Sequence, residues 1–189
     1  MGIHHIAIAT RDIDKNHAFY TEAMGFELVK VVVGRNGHGF SKHLFYDTGS
    51  TEDGIIAFWD LHDDRLADDW SADISRGLGL PIGINHIAFT ASDLDDIARR
   101  RDRWLERGYD VREIDHGWCH SIYNVDPNGI VVEFCVLTRE LDENDRREAR
   151  ELLANPNPPA STEGGDAILH KAADTAAGAM GSESLRRSR

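Results

Sequence analysis

The sequence predicts an α+β fold built from two tandem βαβββ modules, and three observations carry that prediction. The stretch Ile84-Asn85-His86-Ile87-Ala88-Phe89 repeats Ile3-His4-His5-Ile6-Ala7-Ile8, 81 residues later. The acidic start Asp12-Ile13-Asp14 returns at the same offset as Asp93-Leu94-Asp95. Each copy then closes its helical stretch on a glycine and an aromatic residue, Gly25-Phe26 and Gly108-Tyr109, before strand-like residues take over. Self-similarity at a fixed period marks a duplicated supersecondary unit. The modules fall at residues 1–60 and 84–140, with a linker at 61–83 and a charged helix and flexible tail at 141–189.

Each element has a local reason. In the strand Ile3 to Thr10, His5, Ala7 and Ala9 share one face, while His4, Ile6 and Ile8 share the other. Asp12 is the expected N-cap of a helix that runs to Met24 and stops at Gly25. Phe19, Tyr20 and Ala23 form its apolar stripe. Phe26 to Val33 follows as a strand. Gly34 to Ser41 (GRNGHGFS) reads as a flexible loop or lid, because no helix start follows its glycines to hold a phosphate. His43 to Asp47 and Ile55 to Asp60 pair as a hairpin around Thr48-Gly49-Ser50. The linker Leu61 to Gly83 is polar and rich in Asp.

In the second copy a helix reaches about Arg107, and a strand lies near Val111 to Ile114. A hairpin then turns through Asp126-Pro127-Asn128-Gly129, where Pro presets φ and Gly tolerates a positive value. Thr138 to Ala154 is helix-prone and Asn155 to Gly165 irregular. Ala167 to Met180 reads as a short helix with His170 at the surface. Gly181 to Arg189 reads as disordered.

Composition excludes several classes. The formal net charge of −12 argues against nucleic-acid and anionic-membrane partners. No apolar run approaches 18 residues, so no membrane span is expected. With no secretory signal, a cytoplasmic protein is expected, with Cys119 and Cys135 as a reduced pair on adjacent strands.

Glu133 is the puzzle of the last hairpin. It is one carboxylate inside the apolar run Ile130 to Val136, and an acid there is costly unless paired or bound to a metal. The repeat supplies candidate partners, because His5 and His86 occupy equivalent places on equivalent strands. Two histidines and one carboxylate make the facial set suited to a divalent first-row metal such as Fe(II).

These residues carry a resemblance. The repeated H-I-A-x-x-x-x-D and the hairpin D-P-N-G-x-x-x-E resemble the vicinal oxygen chelate superfamily of glyoxalases, epimerases, fosfomycin- and bleomycin-resistance proteins and type I extradiol dioxygenases. The resemblance spans roughly residues 3 to 138. It implies two modules forming an open, cup-shaped mixed sheet, with His5, His86 and Glu133 as metal ligands. The series Ile114-Asp115-His116, Ile122-Tyr123, Asp126-Pro127-Asn128-Gly129 and Glu133 is similar to the extradiol signature. It implies Tyr123 as a hydrogen-bonding group near the metal, His116 as a catalytic or orienting group and His120 as a supporting contact.

In glyoxalase I a fourth ligand comes from the first module. Ala57 stands at that place and cannot bind metal. Extradiol enzymes carry an acid–base histidine where this chain has about Gly54, beside Asp53, so His43 or His62 is expected to take over proton transfer. Phe45, Trp59 and Trp118 are the expected aromatic pocket walls.

The expectation is therefore an Fe(II) enzyme, or one using Mn(II) or another divalent metal, that cleaves a catechol-like aromatic diol with O2. Its partners would be a small-molecule substrate and other copies of itself, as a homodimer or higher oligomer. The alternatives are a metal-dependent glyoxalase, epimerase or thiol transferase, and a metal-free drug-binding resistance protein.

Overall fold

The structure is a computed structural model that describes residues 3–50 and 54–173. The first module runs β1 (His5–Thr10), α1 (Ile13–Ala18), a π-helical turn (Phe19–Ala23), β2 (Glu27–Asn36), β3 (Gly39–Asp47) and β4 (Ile55–Asp63). A short helix α2 (Ile74–Gly77) interrupts the linker. The second module runs β5 (His86–Thr90), α3 (Leu94–Glu106), β6 (Val111–Asp115), β7 (Cys119–Val125) and β8 (Val131–Leu137). After it come α4 (Glu143–Ala154) and β9 (Ile168–His170).

The helix starts follow capping chemistry. Asp12 accepts from the Lys15 amide at 3.0 Å and Asp93 from the Asp96 amide at 2.7 Å. The π-helical turn widens α1 where Phe19, Tyr20, Ala23 and Met24 are all buried. A wider turn lets two adjacent pairs face the core at once.

The strands form two mixed sheets, in order β1-β4-β3-β2 and β5-β8-β7-β6-β9. In both, the first strand of the module runs parallel to the last: Ala7 pairs with Ala57 as Ala88 pairs with Glu133. The duplication read from the sequence is thus a duplication of register.

One core joins the modules. Phe26 of the first meets Phe89 of the second with ring centroids 5.0 Å apart, and Phe19 meets Tyr109 at 5.3 Å. Trp104 of α3 packs over Phe134 at 5.4 Å. The turn residues Asp126 and Asn128 reinforce this junction. Asp126 accepts from the Tyr20 hydroxyl at 3.0 Å, while Asn128 takes the Thr10 hydroxyl at 2.7 Å and donates to Asn16 at 2.8 Å. Burial pushes the Asp126 carboxyl above its ordinary pKa, against the hydrogen bonds it accepts from Ile130, Asn128 and Tyr20, which pull it down.

The structure corrects three readings. Gly34 to Ser41 is not a lid: β2 and β3 continue to a tight turn at Gly37-His38, with Gly34 opposite Ser41. The segment stays extended because β3 also pairs with the end of β4, Ser41 with Leu61 and Phe40 with His62. The linker accordingly begins only after Asp63.

The predicted helix from Ala167 is absent at its start, where β9 adds an edge strand to β6; residues 174–180 of that expected helix, and the tail 181–189, lie outside the described residues. His170 is not a free surface group, since its Nε2 lies 2.7 Å from Glu113.

Candidate metal and substrate site

Strand alternation assigns the site to the sheet faces turned away from the helices. On β4, Phe58 packs on Tyr20 of the helical layer, with ring centroids 4.4 Å apart, so Ala57 and Trp59 face the other way. Register carries His5, His43 and Phe45 to that same face. On β8, Phe134 faces Trp104, so Glu133 and its cross-strand partner Tyr123 share the open face. His86 and Ala88 join them through the β5–β8 ladder.

His86 and Glu133 form a close pair. His86 Nε2 lies 3.3 Å from a Glu133 carboxylate oxygen, and Glu133 is only 5 % exposed. The other ring nitrogen, Nδ1, stands 2.9 Å from the Gly83 carbonyl. A carbonyl only accepts, so Nδ1 carries a proton and Nε2 is the nitrogen turned toward the carboxylate. Either a proton or a cation between Nε2 and the carboxylate makes that approach favourable. An imidazole oriented by a backbone carbonyl, beside a buried carboxylate, is the donor set a divalent metal takes, so these residues fit the ion.

Tyr123 lies directly across from Glu133, and its hydroxyl is 2.9 Å from His116 Nε2. Burial, then the Glu133 charge and hydrogen bond, raise the Tyr123 pKa well above the ordinary phenol value. The phenol is therefore held protonated as a donor.

Of His43 and His62, His43 is the one on the open face. Its ring stacks on Trp59 at 3.8 Å, lies 4.1 Å from Phe45, and stands 6.4 Å from His5. Its Nε2 is buried with no hydrogen-bond partner among the described residues. Desolvation, then the neighbouring His5, lowers its pKa, so it stays a neutral base. His62 faces the opposite side, stacked on Phe40 and held 2.9 Å from Asp60. At Gly54 no side chain fits as the backbone stands, because a Cβ there would lie 2.2 Å from the Ile3 carbonyl oxygen.

Not every predicted residue gathers here. His5 stands on the right face, but its Nδ1 meets His4 Nδ1 at 2.8 Å, and it does not join the His86–Glu133 pair in a metal-holding group. Among the described residues, no three His, Cys, Asp or Glu side chains converge as a metal-holding group. The strands bearing the two histidines, β1 and β5, are each at the edge of their sheet.

His120 turns to the helix side. Its Nε2 is 2.7 Å from Glu113, which also takes Arg101 of α3, so it does not contact the open face. Strand parity explains this, because His120 and Tyr123 are three residues apart. Trp118 lines a separate groove of about 300 Å³, with Arg139, Leu141 and Leu152.

The same parity puts three further side chains on the open face. Ser121 and Cys119 precede Tyr123 by two and four residues and share its face, and Cys135 lies opposite Ser121. Both cysteines are free thiols. Burial, then Cys135, pushes the Cys119 thiol up to about 12, leaving it inert.

Comparison with known proteins agrees with this architecture. Residues 2–134 match the model of the Glyoxalase/Bleomycin resistance protein/Dioxygenase superfamily. Over 143 residues the chain is 26 % identical to a 3-methylcatechol 2,3-dioxygenase of Pseudomonas putida, covering 74 % of this chain and 43 % of that protein. The chain thus spans less than half the length of that curated relative.

Among solved structures, a glyoxylase/bleomycin resistance protein/dioxygenase domain from Frankia sp. EAN1pec superposes with a TM-score of 0.54 at 17 % identity, over 72 % of this chain and 98 % of that one. The fosfomycin resistance protein FosX of Listeria monocytogenes does so with a TM-score of 0.53 at 20 % identity, over 72 % and 94 %. Those two likenesses concern the fold. The family match covers most of the chain, its repeat is a repeat of register, and its open face carries the histidine–carboxylate pair; the chain belongs to the Glyoxalase/Bleomycin resistance protein/Dioxygenase superfamily.

Proposed function

We propose that the chain is a metal-dependent oxidoreductase of the extradiol type, acting with O2 on a catechol-like aromatic diol. The observation that carries this reading is the His86–Glu133 pair with the protonated Tyr123 across the ladder from it. His86, Glu133 and His5 would hold Fe(II), or Mn(II) in its place. The bound ion supplies Lewis acidity toward the diol and one-electron chemistry with O2.

The chain's own groups do the rest. Trp59 and Phe45 flank His43 and offer flat apolar surface to an aromatic ring. His43, neutral and unpartnered at Nε2, accepts the proton of a diol hydroxyl. Tyr123 donates to a substrate oxygen, and His116 holds its hydroxyl in place.

Because His5 does not join the pair in a metal-holding group and lies on an exposed edge strand, we assign it to a site completed by a second copy of the chain. The dioxygenase relative favours ring cleavage, and Ala57, fully buried where the repeat would place a fourth ligand, disfavours a four-ligand isomerase.

The test is metal analysis of anaerobically purified protein, followed by oxygen uptake on a panel of catechols. One metal per site and oxygen uptake with a yellow ring-cleavage product are expected. Metal without uptake on any diol overturns the reading.

A further inference from the structure

Residues 139–172 lie beyond the stretch matched by the family model, yet part of them is built onto the turn that bears His116. The Gly165 amide donates to the Asp115 carbonyl at 2.7 Å. Gly164, at φ +94°, lies so close that a Cβ there would come within 3.0 Å of the Asp115 oxygen and 3.2 Å of His116 Cα. Gly117, on the other side of His116, faces Glu163 and Gly164 in the same way, with 3.3 Å left for a Cβ. A Cβ at either position would crowd the facing run, and both residues sit at a positive φ that glycine tolerates.

The next residues fasten the strand that leads into the turn. In β9, Ile168 pairs with Glu113 and His170 with Val111. His170 Nε2 lies 2.7 Å from one Glu113 oxygen, and His120 Nε2 lies 2.7 Å from the other. Burial alone would raise the Glu113 pKa, but hydrogen bonds from His120, Arg101 and His170 outweigh it and hold the carboxyl below its ordinary value. Lys171 and the Ala172 amide both bind Asp110, just before β6, at 2.7 and 3.1 Å. The tail therefore grips β6 at its start, along its length and at the turn beyond it.

We propose that residues 163–172 are a brace that positions His116 against Tyr123, with Gly164 and His170 as positioning residues. The inference deepens the function proposed above and rests on it for the role of His116. The brace itself is a statement about geometry. Without it, β6 would be an edge strand and the Asp115–Gly117 turn a free loop end, the kind of segment that opens locally at small cost. His116 would then be held less firmly, and its bond to Tyr123 would be intermittent.

The test uses three full-length variants: His170→Ala, His170→Gln and Gly164→Val. The glutamine keeps a donor near the place of Nε2. Hydrogen exchange of the His116 and Gly117 amides is followed in the metal-free protein, because both are bonded within the turn. Exchange is expected to rise about tenfold in His170→Ala and further in Gly164→Val, and to return toward the parent value in His170→Gln. Amides of α3 serve as the control for intact folding.

Cobalt(II) binding should be unchanged in all three. In the iron-loaded protein, kcat should fall with KM nearly constant. Unchanged exchange at His116 and Gly117, while the β9 amides open, would show a tail that docks without positioning anything. If the parent protein cleaves no diol, the proposed reaction fails, and the exchange data still decide the brace.

Discussion

His86 and Glu133 meet at 3.3 Å with the histidine's proton committed to Gly83 on its far side. A buried carboxylate is costly unless it is paired or bound to a cation, so Glu133 beside His86 Nε2 should take up a divalent metal. Replacing Glu133 by Gln is expected to leave the metal-free Tm unchanged or higher, since it removes a buried charge. In the parent protein, divalent metal at about 100 times its Kd should add about 2.7 kcal/mol of stability. In Glu133→Gln that increment should vanish. Thermal melts with and without cobalt(II) measure both effects.

His5 does not join that pair in a metal-holding group. If a second copy supplies it, His5→Ala and Glu133→Ala proteins should each be inactive, yet regain activity when unfolded together and refolded as a mixture. About a quarter of parent activity is the upper range expected for random pairing with one intact site per mixed dimer. No recovery, with both variants folded and dimeric, would place all ligands on one chain.

His43 owes its lowered pKa first to desolvation and then to His5. A base is competent when deprotonated, so a lowered pKa extends activity to lower pH. The acid limb of kcat/KM should fall below 6.5, the ordinary histidine value. His43→Ala should lose about 10²-fold in kcat and lose that limb, whereas His62→Ala, on the opposite face, should keep both. A pH–rate series on the three proteins decides it.

The turn residue Asn128 joins Thr10, Asn16 and Asp126 in buried contacts. Asn128→Ala would leave a hydroxyl and two side-chain oxygens short of partners. A loss of about 2–4 kcal/mol is expected in urea unfolding, with m unchanged. Metal affinity of the folded protein should not move, because none of these groups touches the open face.

Glu113 predicts how stability responds to acid. Its folded-state pKa is depressed from 4.5, so the stability it contributes is present above that value and is lost as pH falls through the lower, folded one. Urea midpoints should therefore drop below about pH 4.5. Glu113→Gln should be less stable at pH 7 and show a shallower decline through that window.

The sequence by itself determined the duplication, the ladder partners of the site and the parity of each strand. The repeat matches His5 with His86 at an offset of 81, and the pairs Ala57-Phe58 and Glu133-Phe134 match the last strands of the two copies, so both correspondences could be drawn before any coordinates. Period-two alternation is as firm, and it already implied that His120 and Tyr123 part company.

Tertiary structure decided what depends on partners distant in the chain. The glycine-rich stretch after β2 became strand because the end of β4 lay alongside to pair with it. Ile168–His170, at the start of the alanine-rich stretch, became an edge strand because Glu113 on β6 and Asp110 just before it meet His170 and Lys171. His43 rather than His62 faces the site because β3 and β4 pair in one register. Local propensity is worth tenths of a kcal/mol per residue, and a ladder of hydrogen bonds with two part-buried ion contacts outweighs it.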